Sequence, residues 1–488
     1  MTTNYLEILR ALAPETALVV GALAVLGYDL LAGKRQVEAA RRQVAAVGGL
    51  LAVVVAILGA MCAGRAGTVV GGVLVLDSLG LAARVGVLAL AGLTLLLVPV
   101  GKGLRNAAEY VAVILFATVG FTLMAVAQQL LLAFLALELA SLSLYILAGF
   151  DKSSRDSAEA ALKYFLTGGI SAAFLLFGFS LLYGLTGSIA FPEIATRIGT
   201  SAPTPLLMVA LVMVLVAFGF KAAAAPFHLW APDVYQGAPT SSSALIASAS
   251  KLAGFTLFVR LLWSGLVSAA GSVTTLEGAP GWLPVVAVIA AASLLLGNIG
   301  ALAQSNVRRL LAYSAIAHAG ALLLGVMAAG TAGPGPLFFY AATYGLATVG
   351  AFGVIAVIEN TESCQKITDL AGLHRRSPLL AMCLLVFVLS LAGIPPLAGF
   401  FGKFSVFAAA LQVSGLDGPL GWLAIAAIFL SAVALYYYLI ILKQALVAGP
   451  AEGRGRIPVP ATAALALIIS AGLLVFLGVF PSVLLRMF

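Results

Sequence analysis

Glu138, Lys163, Lys221, Lys251, His318 and Lys403 are the side chains of this sequence best placed to do acid–base chemistry, and each falls within a long apolar run. Glu138 sits in Phe134-Leu135-Ala136-Leu137-Glu138-Leu139, and Lys221 follows Phe218-Gly219-Phe220. A Lys or Asp at the centre of a bilayer-inserted helix costs roughly 2.5–3.5 kcal/mol, so such residues are rare unless they line a polar path. Burial alone favours the neutral form of an amine or a carboxyl, and a nearby opposite charge restores both ionised forms. A lysine whose charge depends on a partner is a proton switch. A second reading stands beside each of these. A buried Glu–Lys pair is also a helix-packing clamp. Lys163, about six residues into its run, can reach the interface by snorkelling. His318, in Ala315-Ile316-Ala317-His318, fits a packing group as well as a relay member. Arg84 and Arg260 read as structural or interfacial, and Asp77 as interfacial.

The chain that must position these groups has 488 residues, 62% of them apolar and 9% charged. Soluble domains carry roughly 45–50% apolar and about 25% charged residues, so a soluble enzyme, a nucleic-acid binder and a disordered chain are excluded together. The net charge of +8 then records which loops face the cytoplasm rather than an anionic partner. Cys62, Cys364 and Cys383 form no CxxC pair, whereas an iron–sulfur cluster or structural zinc needs about four closely spaced ligands. His228, His318 and His374 would supply at most one bis-His haem, and only if two of them met across helices. Glu7, Arg10 and Glu15 ahead of the first apolar run do not form a cleavable secretory signal, so the first helix is read as retained.

A hydrocarbon core of about 30 Å takes about 20 helical residues. Runs of that length predict fourteen spans: 14–32, 45–63, 73–98, 109–127, 129–150, 158–184, 204–230, 240–266, 283–303, 309–329, 335–358, 377–411 with an interruption, 419–443 and 462–485. If the loop with Lys34, Arg35, Arg41 and Arg42 is cytoplasmic, alternate loops add Lys102, Arg105, Lys152, Arg155, Arg308, Arg309, Lys366, Arg375, Arg376, Lys443, Arg454 and Arg456 to that side. Only Arg10, Arg65, Arg197 and Arg486 fall on the other. This asymmetry predicts a multi-pass membrane protein with both termini on the non-cytoplasmic side.

Two spans should be broken. Lys221 runs into Ala222-Ala223-Ala224-Ala225-Pro226-Phe227-His228, and the twelfth span reads Gly393-Ile394-Pro395-Pro396-Leu397-Ala398-Gly399-Phe400-Phe401-Gly402-Lys403. Proline removes a backbone donor and clashes with the preceding turn. Irregular backbone at membrane depth persists only where protein or water satisfies it. A plain proline kink is the simpler reading of either site alone, but here two breaks lie five spans apart, each beside a lysine. The fold class expected is all-α integral membrane, about fourteen transmembrane helices, with two inverted five-helix repeats and helices 7 and 12 broken. The divisions are 1–104 for helices 1–3, 105–266 for the first repeat, 267–445 for the second and 446–488 for helix 14.

With these residues in view, the sequence resembles the antiporter-like membrane subunits of the bacterial proton-pumping NADH:quinone oxidoreductase, respiratory complex I. The resemblance rests on Leu137-Glu138-Leu139, on Glu159-Ala160-Ala161-Leu162-Lys163-Tyr164-Phe165, and on Phe218 to Lys221 running into Ala225 to Pro239. Ala249-Ser250-Lys251, Gln304 to His318 and Gly393 to Lys403 complete it, so it spans about residues 105 to 445. Lys163 and Lys403 point to the subunit N type, since the M type usually has a glutamate at the position of Lys403 and the L type continues into a long lateral helix. Ala315, where relatives often have serine, departs from the pattern. The resemblance implies a translocase subunit without a redox centre, its NADH, FMN, iron–sulfur clusters and quinone held by partner subunits. Partners would be other membrane subunits of the complex, including neighbouring antiporter-like ones, and the lipid bilayer, with no nucleic acid. It further implies that Glu138 modulates Lys221, Lys251 links the two halves and Lys403 passes the proton onward. A multisubunit cation/proton antiporter and an energy-conserving hydrogenase share these parts and stand as alternatives.

Overall fold

The computed structural model describes residues 5–33, 37–63, 67–101, 103–200, 204–273, 280–450 and 453–488; Lys34, Arg35, Arg65 and Lys102 lie outside them. Among the described residues, thirteen helices are long and apolar enough to cross a membrane. Pro378–Ala392 and Ala398–Ser414, each too short alone, are the halves of one further crossing, which gives the fourteen expected. Spans 1 to 6 are Ala13–Leu31, Glu38–Ala63, Ser78–Leu97, Ala107–Val126, Leu130–Ala148 and Arg155–Thr186. Span 7 is Pro205–Ala222 followed by Trp230–Gly237, and span 8 is Thr240–Ala247 followed by Ala249–Arg260. Spans 9 to 11 are Trp282–Leu302, Val307–Ala332 and Gly335–Glu359. Span 12 is the split pair, and spans 13 and 14 are Pro419–Leu446 and Ala461–Val479.

Local chemistry sets several starts. Asp77 accepts the N–H of Gly80 at 2.7 Å, Thr204 that of Leu207 at 3.2 Å, and Asn306 those of Arg308 and Arg309. Residues 73–77, expected in the third span, instead enter a hairpin of β1 (Gly67–Val69) and β2 (Leu74–Leu76), turned by Gly71 and Gly72 at positive φ. Bridges from Leu74 to Ala127 and from Gln129 to Ala190 tie this hairpin to the loops after spans 4 and 6.

Alternate loops share an end, as the span count demands. The start of span 2 and the loops after spans 3, 5, 7, 9 and 11 all line one polar cavity of about 540 Å³, which holds Arg42, Arg105 and Arg308. This is the basic end. Both chain termini lie opposite: Tyr5–Ala11 packs near the hairpin, and Phe488 meets Phe338 at the start of span 11, ring centroids 5.2 Å apart.

Spans 8, 10 and 11 are enclosed on all sides, whereas spans 1, 6 and 13 bury about a third of their surface. Close approach makes the centre dense: a Cβ on Gly320 of span 10 would lie 2.8 Å from the carbonyl of Ala290 in span 9.

The two breaks are built alike. The first half of span 7 ends at Ala223 with φ 55°, and the first half of span 12 at Gly393 with φ 85°. The next N–H in each folds back on the helix, Ala224 to Gly219 at 2.8 Å and Ile394 to Leu389 at 3.0 Å. Pro226 and Pro396 follow, each in a cis peptide bond. Side chains take up the freed groups: Ala225 N–H donates to Ser293, Trp230 Nε1 to the Phe220 carbonyl and Gly399 N–H to Ser390. Span 8, expected to be continuous, is also interrupted, at Ser248 (φ −115°, ψ −86°). Proline and glycine are absent at that point, so only the tertiary packing sets the break.

Arg84 and Arg260 hold helices together. Arg84 donates to Glu15 at 3.0 Å and to the Ala11 carbonyl at 3.1 Å, fully buried. Arg260 grips Asp77 through both guanidinium nitrogens and the Ala125 carbonyl through Nε. At the basic end Arg454 bonds Asp369, which also accepts the N–H groups of Lys366 and Gln365. Partial burial pushes the Asp369 carboxyl up, but these hydrogen bonds and the Arg454 charge outweigh it and hold it below its ordinary value.

Two outcomes follow for melting in detergent. Arg84→Met strands Glu15 and lowers stability by about 3–5 kcal/mol, while Arg84→Met with Glu15→Leu recovers most of the loss. Asp369→Asn melts earlier than wild type at neutral pH. A depressed carboxyl gives its stability above its unfolded value and loses it as pH falls through the folded one, so the two proteins converge only below roughly pH 4.

Candidate functional site

Glu138 stands near the middle of span 5 on a stripe whose other members, Leu131, Leu135, Leu142 and Ile146, are exposed. It is itself half-buried. Lys221, one residue from the end of the first half of span 7, is buried, and its Nζ donates to Ser141 Oγ at 3.3 Å. Ser141 lies one turn beyond Glu138 on span 5, and the Glu138 carboxyl and the Lys221 ammonium act on each other through space.

The stem of Lys221 lies against Gly254 of span 8, where an added Cβ would sit 3.2 Å from Lys221 Cγ. One helical turn earlier on that span is Lys251, 3% exposed. Its Nζ donates to the Ala315 carbonyl at 2.5 Å and lies 5.4 Å from the centroid of the Tyr344 ring. The interruption at Ser248 comes three residues before Lys251.

Tyr344 lies against the imidazole of His318, ring centroids 4.8 Å apart and planes tilted by 42°. Both ring nitrogens of His318 are taken, Nδ1 by the Tyr340 hydroxyl at 2.7 Å and Nε2 by the Tyr438 hydroxyl at 3.0 Å. Tyr438 in turn shares a hydrogen bond with Ser314 at 2.5 Å. A neutral imidazole carries one donor and one acceptor nitrogen, so a proton received from one tyrosine side leaves by the other with a change of tautomer.

Beyond His318 is a cavity of about 20 Å³ lined by Lys403, Tyr340, Tyr437, Asn298 and Ser431, room for about one water. Lys403, on the second half of span 12, donates to the Ala392 carbonyl at 3.0 Å, across the break from its own helix. His318 lies within the fields of both Lys251 and Lys403. Lys221, Lys251, His318 and Lys403 are all buried: Lys221 packs on span 8, which carries Lys251; Tyr344 lies against both Lys251 and His318; and His318 and Lys403 line the same small cavity.

Lys163 is placed elsewhere. Its Nζ reaches Asp233 at 2.6 Å and Glu159 at 2.7 Å at the basic end, with its side chain 43% exposed. Arg309 also binds Asp233, at 2.5 Å, so Asp233 joins span 6, the second half of span 7 and span 10.

Residues 127–433 match the family described as NADH:quinone oxidoreductase/Mrp antiporter, TM. The chain is 48% identical to NADH-quinone oxidoreductase subunit N 2 of Acidobacterium capsulatum, over 99% of both proteins. The chain belongs to the subunit N family. Among solved structures, a chain of respiratory complex I from Thermus thermophilus superposes with a TM-score of 0.80 at 34% identity, covering 97% of this chain and 98% of that one. A chain of the Mrp complex from Dietzia superposes with a TM-score of 0.83 at 21% identity over 100% and 96%, a likeness of fold alone.

The subunit N pattern of lysines was legible in the sequence; the hydroxyls around His318 were not. Tyr340, Tyr344, Tyr437 and Tyr438 look like ordinary apolar-span aromatics, and only the 340–344 spacing, one turn on span 11, hints at a shared face. Ala315 contributes its carbonyl, and the hydroxyl beside it is that of Ser314.

Proposed function

We propose that the chain is the proton-translocating subunit N of a bacterial NADH:quinone oxidoreductase, and that Glu138, Lys221, Lys251, His318 and Lys403 carry the proton. The observation that supports this most is the single buried file of three lysines and a doubly bonded histidine across spans 7, 8, 10 and 12. Approach of Glu138 to Lys221 holds the ammonium charged, and withdrawal releases its proton toward Lys251. Each ~1.4 kcal/mol by which the partner's interaction changes alters the proton affinity tenfold. His318 then relays the proton toward Lys403. Lys163 takes part at the entrance, through its pair with Asp233.

In this reading residues 105–266 and 267–445 are the two inverted repeats, flanked by 1–104 and 446–488. The basic end faces the cytoplasm across the inner membrane, and both termini face away. NADH, FMN, iron–sulfur clusters and quinone reside in partner subunits. A half-buried carboxyl in hydrocarbon is costly, so the stripe around Glu138 is covered by a neighbouring antiporter-like subunit.

In vesicles containing the whole complex, Lys221→Ala abolishes or cripples NADH-driven proton pumping while assembly survives. His318→Gln keeps hydrogen bonds to both tyrosines but accepts no proton, so assembly again survives and pumping falls, by roughly tenfold or more. Wild-type pumping in both variants would refute the relay. Sodium-dependent exchange without NADH would select a cation/proton antiporter instead.

A further inference from the structure

The relay needs a supply of protons at the basic end, and a second polar feature descends from there to the middle of the file. The 540 Å³ cavity at the basic end is lined by, among others, Arg42, Asp151, Thr240, Arg308 and Glu359. Thr240 begins span 8 and donates to Glu359, the last residue of span 11; Arg308 bonds Thr240 at 2.7 Å and Glu359 at 3.4 Å. One turn inward on span 8, Ser243 donates to the backbone carbonyl of Tyr235 at 3.0 Å. The Tyr235 side chain is wholly buried, and its hydroxyl has no hydrogen-bond partner among the described residues. A buried hydroxyl in that state is rare and marks a place where a polar ligand such as water binds.

Tyr235 lies beneath Phe352 of span 11, ring centroids 5.8 Å apart. Among the described residues, Tyr344 on span 11 and Tyr164 on span 6 act on its hydroxyl electrostatically. Span 11 itself carries Tyr340, Tyr344, Thr348 and Phe352 at intervals of four, a single face, and Thr348 bonds back to Tyr344. The lower end of that face touches His318 and Lys251, and its helix ends in Glu359 at the cavity.

We propose that Tyr235 is a positioning and relay residue of a proton-uptake branch. It runs from the Glu359–Thr240–Arg308 cluster along span 11, through water held between Tyr235 and Tyr344, and delivers to Lys251 without passing Glu138 or Lys221. The transfer balances as a proton hop. Tyr235 accepts a proton on its oxygen from the cavity side as it gives its own inward, neutral Lys251 becomes an ammonium, and no electron moves. The inference rests on the relay reading above, which Lys221 tests separately.

The test is Tyr235→Phe in the assembled complex, with proton uptake in proteoliposomes followed from acid to alkaline pH. This variant deletes one unpartnered oxygen, so assembly and melting should match or exceed wild type. Uptake should fall roughly tenfold at alkaline pH, where protons are scarce, and much less at acidic pH, moving the optimum toward acid. Thr348→Val should show the same tilt, weaker. A uniform decrease at every pH would mean a packing role and overturn the branch. So would a wild-type pH profile in Tyr235→Phe, provided Lys221→Ala and Lys251→Ala still impair pumping. If those lysine variants also pump normally, the relay reading itself fails.

Discussion

An ionisable side chain cannot be left bare in hydrocarbon, and this one constraint accounts for much of the architecture. Lys221, Lys251 and Lys403 lie where each ammonium meets a hydroxyl, a carbonyl or a ring rather than lipid. Enclosing them requires a centre closed on every side, and spans 8, 10 and 11 supply it. The outer spans can then remain largely apolar on their exposed faces, which is why the composition reads so strongly as membrane. Arg84 and Arg260, equally buried, differ in one respect. Each is bound to a carboxylate and a backbone carbonyl, a geometry that anchors helices.

The breaks in spans 7 and 12 show how backbone and side chain cooperate. Ending a helix at membrane depth frees carbonyls and N–H groups, and both sites recapture them with the same left-handed cap and with nearby side chains. The lysine stands before the break in span 7 and after it in span 12. Lys403 spans its own break to bond Ala392, so motion of one half-helix against the other would change that contact directly. An unbroken helix would fix the same ammonium against its own backbone.

Much of this was legible in the sequence, because charge and proline within apolar runs are unambiguous signals. Fourteen spans, both proline breaks and the lysines of the file followed from them. The interruption at Ser248 was not legible, because neither proline nor glycine marks it and the packing around span 8 decides it. Residues 73–77, which hold the second strand of the hairpin, were read into the third span because their valines and leucines are as apolar as a span. Lys163 shows the opposite limit. Its motif resembles that of the other lysines, yet its depth depends on where span 6 begins. Arg155 starts that helix three residues earlier than the apolar run, leaving Lys163 at the basic end beside Asp233. The tyrosines around His318 carry no signal of their own, since tyrosine in an apolar helix is common and only convergence from spans 10, 11 and 13 gives it a role.

That convergence bears on which cation can travel. Between Lys251 and Lys403 the proposed relay narrows to an imidazole clasped by two phenols and a cavity with room for about one water. A hydrated metal cation would have to shed most of its shell there, beside the Lys403 ammonium that repels it. A proton meets no such obstacle, because it moves by exchange of hydrogen bonds and needs no space of its own. The related Mrp fold shows that a similar scaffold belongs to another kind of complex.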